Sequence, residues 1–82
     1  MLESIVENFP DEDILKADGL DNAVIGIDTS SMRLIYSKQE CVEVMMDEQD
    51  MNMLEAIEYL EYNTFNTYVG EQTPIWCDDL MA

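Results

Sequence analysis

Residues 53–76 read MLEAIEYLEYNTFNTYVGEQTPIW, and this stretch decides the fold more than any other. Its helical spacing is followed by Gly70 and Pro74, which favour the end of a helix and the start of an edge strand. We therefore predict a helix that ends near Gly70 and a last strand over residues 73–77. One face of this helix consists of Met53, Ala56, Ile57, Leu60, Thr64, Thr67 and Tyr68.

A second patch on this helix joins Leu54 and Phe65, with acidic residues beside it. A helix with apolar groups on two sides is usually buried on both, or buried on one side and paired on the other. We therefore expect a homodimer. Core and dimer packing is the ordinary use of the tyrosines, and a partner-binding surface is the alternative. The candidate interface or partner-binding residues are Glu55, Glu58, Tyr59, Glu61, Tyr62, Phe65 and Asn66.

The chain before this stretch carries short-range signals for a hairpin and a helix. Residues 23–28 and 32–36 are rich in β-branched residues and flank a turn sequence, so they predict two paired strands. Ser37 has the spacing of a helix cap to Glu40, and the helix should continue to about Glu48. Either Asp50 or Asn52 then caps the next helix.

The first twenty residues predict two short helical pieces that Pro10 separates. The chain as a whole predicts one α+β domain over residues 1–82, with an acidic helical segment (1–20) and a core (22–78). Its small antiparallel sheet combines the hairpin over residues 23–36 with the strand over 73–77. Two helices cover one face of this sheet.

The composition is strongly acidic. The chain contains nineteen Asp and Glu residues but only three Lys and Arg residues, which gives a formal net charge of -16. It contains no histidine. All three bases precede residue 39. Such a field repels nucleic acid and anionic membranes and attracts cations or basic protein surfaces. We therefore expect neither direct nucleic-acid binding nor a membrane partner.

The residue set excludes most catalytic arrangements, because it offers no histidine and few bases. Glu58 and Glu61 are a carboxylate pair that chance accounts for in so acidic a chain. The acidic runs at residues 11–13 and 47–50 lack the turn glycine of a calcium loop. Cys41 and Cys77 favour buried free thiols. We predict no enzyme activity, no metal site and no cofactor.

Three segments resemble a group of small uncharacterised proteins of bacteriophages and bacteria. These segments are SMRLIYS, EAIEYLEYNTFNTYVGE and TPIW, and the similarity covers about residues 24–77. It implies a compact α+β fold and a phage origin, and it carries over no activity and no site residues. A cytoplasmic location, in the host cell for a phage protein, fits the absence of a signal-like start.

The function expected from these features is that of a non-enzymatic accessory protein that acts by protein binding or self-association. Its acidity either keeps the protein soluble or imitates the phosphate array of DNA towards a basic host protein. The alternative is a divalent-cation-binding protein or a small carboxylate-based enzyme.

Overall fold

The computed structural model describes residues 1–80 and confirms the α+β class. Over these residues, helices α1 (Leu2–Asn8), α2 (Lys38–Glu48) and α3 (Met53–Leu60) accompany a three-stranded sheet. Its strands are β1 (Val24–Asp28), β2 (Arg33–Ser37) and β3 (Ile75–Cys77), in the order β1-β2-β3. A short 3₁₀ turn, Asp21–Ala23, precedes β1, and a π-helical turn, Glu61–Phe65, follows α3.

The predicted hairpin is confirmed, and local side-chain bonds explain its turn. The Asp28 carboxylate accepts hydrogen bonds from the hydroxyl groups of Ser30 and Ser31 at 2.8 and 2.9 Å. These bonds hold the pKa of Asp28 below its usual value. The β1–β2 register shifts between Val24 and Gly26, which indicates a β-bulge at the glycine inside β1.

The predicted sheet is wrong in one respect, because β3 runs parallel to β2 and the sheet is therefore mixed. Helices α2 and α3 bring the chain back towards the end of β2, where Lys38 lies over the Phe65 ring. A strand that began there would be antiparallel. Residues 66–74 instead run back to the start of β2, where Arg33 donates to the Thr73 carbonyl. Nine extended residues span up to about 30 Å, well beyond the length of β2.

Two helix predictions are also wrong. Residues 13–17 form no helix, because the segment lies along the core and its Ala17 N–H donates to the Tyr36 hydroxyl at 2.8 Å. The helix that begins at Met53 ends with the π-helical turn at Phe65, five residues before Gly70. Gly70 does adopt a positive φ of 110°, but within the loop that leads to β3.

The core lies between the sheet and the helices. Its fully buried side chains come mainly from β2, α2 and α3, including Leu34, Tyr36, Val42 and Leu60. Leu2, Phe9, Ile14 and Ala17 pack against this cluster from the amino-terminal segment. The segment is therefore part of the packed structure, although only Leu2–Asn8 is helical.

Candidate interaction surface

Helix α3 has a fixed start and a clear inner side. Asn52 accepts from the Glu55 N–H at 2.9 Å, and the Glu55 side chain accepts from the Asn52 N–H at 3.1 Å. This reciprocal capping box selects Asn52 over Asp50, which adopts a left-handed backbone conformation between the two helices. Ala56 and Leu60 are buried, so the helical period sets which side chains face outwards.

The outward side of α3 and its π-helical turn combines carboxylates with large apolar groups. Leu54 is 66% exposed, Tyr59 44% and Tyr62 88%, while the three glutamates between and beside them are exposed. A helical period of 3.6 residues places these groups within one half of the helix circumference. We call this set the α3 surface; it consists of Leu54, Glu55, Glu58, Tyr59, Glu61 and Tyr62.

Two of the seven predicted interface residues, Phe65 and Asn66, lie outside the α3 surface and contact other parts of the chain. Phe65 is half-buried, with its ring centroid 5.1 Å from that of Trp76, so the predicted patch of Leu54 and Phe65 is divided between surface and core. Asn66 is exposed, but its Nδ2 donates to the Glu61 carbonyl at 2.9 Å. This bond helps to end the π-helical turn. The remaining five candidates all lie on the α3 surface.

Positive charge is held elsewhere in the molecule. Lys38 Nζ lies 5.1 Å from the centre of the Phe65 ring and 4.0 Å from Asp78 Oδ2, the one ion pair within residues 1–80. Arg33 donates to a backbone carbonyl beside β3. The third base, Lys16, lies in the amino-terminal segment. The sequence places no base within the α3 surface, so its three carboxylates are not neutralised from within it.

A group of polar contacts joins Asp79, near the end of the described residues, to the start of α2, and no sequence pattern predicted it. The Ser37 hydroxyl accepts from the Glu40 N–H, as predicted, and donates to Asp79 Oδ2. Asp79 Oδ1 also accepts from the Gln39 N–H at 2.8 Å. These bonds lower the pKa of Asp79, and its negative charge faces the positive end of the helix.

Glu40 does not complete a reciprocal capping box. Its side chain lies beside Glu43, and repulsion between the two carboxylates raises the pKa of Glu40. Both residues line a shallow depression near the outer side of α2. Within residues 1–80, no three His, Cys, Asp or Glu side chains are grouped so that they could hold a metal ion.

The two thiols differ in environment. Cys41 is fully buried, and burial raises its pKa to about 12. Its thiolate is therefore scarce near neutral pH, and nucleophilic chemistry at this residue is suppressed. Cys77 is half-buried in β3, and both cysteines are free.

An aromatic cluster supports the end of the sheet. The Tyr36 and Trp76 ring centroids are 5.0 Å apart, and the Phe65 ring centroid lies 5.1 Å from that of Trp76. The cluster lies next to the loop that follows α3. Phe65 of the π-helical turn packs on Trp76 in this cluster, whereas Tyr62 of the same turn is exposed.

Comparisons with protein-family models, with curated proteins and with solved structures found no match to this chain. No helix within residues 1–80 combines the length and the apolar character needed to cross a lipid bilayer.

Proposed function

We propose that this chain is a non-enzymatic accessory protein, of the phage type that its sequence resembles, and that its α3 surface binds a basic protein. One observation carries the proposal. Three exposed carboxylates and the exposed side chains of Leu54, Tyr59 and Tyr62 share one helix side on which no base lies.

This combination suits arginine and lysine side chains. Carboxylates form charge-assisted hydrogen bonds with both, and tyrosine rings attract cations through their faces. Tyrosine also supplies a large contact area at low conformational cost. The net charge of -16 adds long-range attraction that accelerates encounter with a basic surface.

The most specific form of the proposal is imitation of DNA. The molecule is 38 Å long, and duplex DNA of that length carries about 22 negative charges. A formal charge of -16 over the same length is of comparable density. A basic protein that recognises DNA through its phosphates would therefore meet a similar field on this chain.

The first test is capture of proteins from a bacterial lysate, with the captured proteins identified by mass spectrometry. We expect a basic nucleic-acid-binding protein whose capture falls steeply between about 50 and 500 mM salt. The purified partner should then lose DNA in a mobility-shift assay as this chain is added. Capture that is indifferent to salt, or a partner that still binds DNA normally, would contradict imitation of DNA.

A charge-matched pair of variants assigns the binding to the α3 surface. The triple variant Glu55→Gln, Glu58→Gln and Glu61→Gln removes three charges from it, and glutamine can still complete the capping box. The control removes three exposed charges elsewhere, by Glu7→Gln, Asp11→Asn and Glu12→Gln. We expect at least a tenfold loss of affinity in the first variant relative to the control. Equal losses would show that only the total charge matters.

Self-association through the same surface is the second candidate, because Leu54 and Tyr62 are unusually exposed for a small chain. Two copies would bring like charges together, so a dimer should be stabilised by salt. Sedimentation equilibrium at 0.05 and 1 M salt tests this expectation. A monomer mass at micromolar concentration under both conditions would exclude the homodimer.

A further inference from the structure

Two adjoining depressions lie between the amino-terminal segment and the chain that follows α3. The first has a volume of about 230 Å³ and is mainly apolar; we call it the apolar groove. Its apolar walls come from Leu15, Ala17, Val69, Pro74 and Trp76. The second has a volume of about 260 Å³, includes Asp13 and Glu71, and is called the acidic depression. Leu15 and Val69 line both.

The walls are held by specific bonds. The Ala17 N–H donates to the buried Tyr36 hydroxyl at 2.8 Å, which fixes the amino-terminal wall to the core. On the other side, the Val69 N–H donates to Thr73 Oγ1 at 2.9 Å, and that hydroxyl donates to the Gly70 carbonyl at 2.6 Å. These bonds order the loop that carries Val69 and Glu71, so the two depressions are built into the fold.

We propose that this pair of depressions is an anchoring site for a basic protein segment that carries a large apolar side chain next to an arginine or lysine. The inference rests on the proposed function and deepens it, since it specifies what the basic partner inserts. A cavity of about 150 Å³ holds a benzene molecule, so the apolar groove has room for one aromatic or long aliphatic side chain. Asp13 and Glu71 supply the complementary charge beside it.

The charges around the two depressions also determine how a basic segment is oriented in the site. Lys16 lines the apolar groove, whereas two carboxylates line the acidic depression. A basic side chain is therefore repelled from the first and attracted to the second. A second copy of this chain fits poorly, because it brings the same net charge of -16 and has only three bases in all.

Short peptides test the site directly. The probe has the sequence Gly-Arg-Phe-Arg-Gly with blocked ends, and matched peptides replace Phe by Ser or both Arg by Gln. Binding is followed by NMR on the full chain, through backbone amides and the indole N–H of Trp76, the only tryptophan. We expect saturable shifts at Leu15, Val69, Glu71 and Trp76. Replacing Phe by Ser should weaken binding about tenfold, and replacing Arg by Gln severalfold.

Two exposed positions supply matched variants with little risk to folding. Val69 is 56% exposed in the loop and lines both depressions, whereas Ile25 is 44% exposed on β1, lines neither and lies outside the α3 surface. Val69→Ser should weaken the Phe peptide severalfold, and Ile25→Ser should leave its affinity unchanged. A circular dichroism melt of each variant confirms that the comparison is made between folded proteins.

The outcomes separate this inference from the proposed function. Equal affinity for the Phe and Ser peptides, or shifts confined to the α3 surface, overturns the anchoring site. The proposed function can survive that result if a basic partner still responds to the three glutamine substitutions on α3. Conversely, failure to capture any basic partner overturns the proposed function, while the peptide titration still decides whether the site takes an apolar and basic pair.

Discussion

Two neighbouring regions of the molecule use their side chains differently. The first is strand β2 with helix α2, and the second is helix α3 with the loop that follows it. In the first region, Leu34, Tyr36, Ser37 and Cys41 are buried, and its polar groups have partners. In the second, Tyr62 is among several large apolar side chains that remain exposed. The first region is explained by folding alone. The second carries aromatic area that the core does not use.

A pair of leucine substitutions should show the largest difference in stability between the two regions. Leu34→Ala removes a fully buried side chain from β2 and should lower the free energy of unfolding by about 2–5 kcal/mol. Leu54→Ala on the exposed side of α3 should change it by less than about 0.5 kcal/mol. Urea unfolding followed by circular dichroism measures both. Similar losses in the free energy of unfolding of the two variants would show that Leu54 is buried against other side chains, contrary to its exposure in the structure.

A smaller effect is expected at the tyrosines. Tyr36→Phe leaves the Ala17 N–H without its acceptor in a partly buried place, which should cost about 1–3 kcal/mol. Tyr62→Phe serves as the control, since its hydroxyl group belongs to a side chain that is 88% exposed. The same unfolding assay applies. A neutral Tyr36→Phe variant would show that this bond does not hold the amino-terminal segment to the core.

The Asp79 contact with α2 predicts a dependence on pH. Because hydrogen bonds from Ser37 and Gln39 lower the pKa of Asp79 in the folded state, its ionised form stabilises folding. That contribution is complete above about pH 5 and is lost as the pH falls through the folded pKa. Asp79→Asn keeps an acceptor oxygen but removes the negative charge at the start of α2, so it should cost about 0.3–1 kcal/mol at pH 7. The difference between wild type and variant should shrink as the pH is lowered from about 5 to about 2.

The ionised Glu40 side chain opposes folding, whereas the ionised Asp79 side chain stabilises it. The role of Asp79 is therefore measured as the difference in the free energy of unfolding between wild type and Asp79→Asn. The pKa of Glu40 is raised by Glu43, so the ionised pair opposes folding above the raised pKa and the cost disappears as the pH falls. Both proteins share the part of this cost that comes from Glu43, and that part cancels, whereas the smaller repulsion between Asp79 and Glu40 is removed in the variant. A wild-type advantage that persists unchanged at pH 2 would contradict the role assigned to the Asp79 carboxylate.

The smallest expected effect on stability belongs to Tyr62→Ser. The substitution should change the free energy of unfolding by less than about 0.5 kcal/mol, because the ring is almost fully exposed. It should nevertheless weaken capture of a basic partner severalfold, since tyrosines often carry a large share of interface affinity. If the variant lost stability as well as binding to the partner, the Tyr62 ring would have to pack in the core.

The parts of the fold that depend on near neighbours could be predicted from the sequence. The hairpin, the helix that Ser37 caps and the inner side of α3 all follow from spacing and turn chemistry over a few residues. The same reasoning extended α3 to Gly70, because Thr64 and Thr67 continue the helical spacing. It could not foresee that side chains from Asn63 and Asn66 would bond to carbonyls of the last turns.

The parts that depend on distant partners could not be predicted. The direction of β3 is set by the path of residues 66–74, which carries no periodic pattern. The bond from Ala17 to Tyr36 kept the second amino-terminal piece from becoming a helix, and nothing near Ala17 signals it. Five of the seven candidate surface residues lie on the outward side of α3 and its π-helical turn, opposite the buried Ala56 and Leu60, and their role in binding stays a prediction.

The parallel pairing of β2 with β3 also bears on the order of folding. Ile35 pairs with Ile75, and Ser37 bonds to Asp79, so the contacts that complete the sheet join residues about forty positions apart. Closing such loops is slow compared with forming a hairpin or a helix. The hairpin and the two helices can therefore form first, and β3 joins last. Until it does, one side of β2 lacks its partner strand, and a nascent chain is exposed to mispairing at that edge.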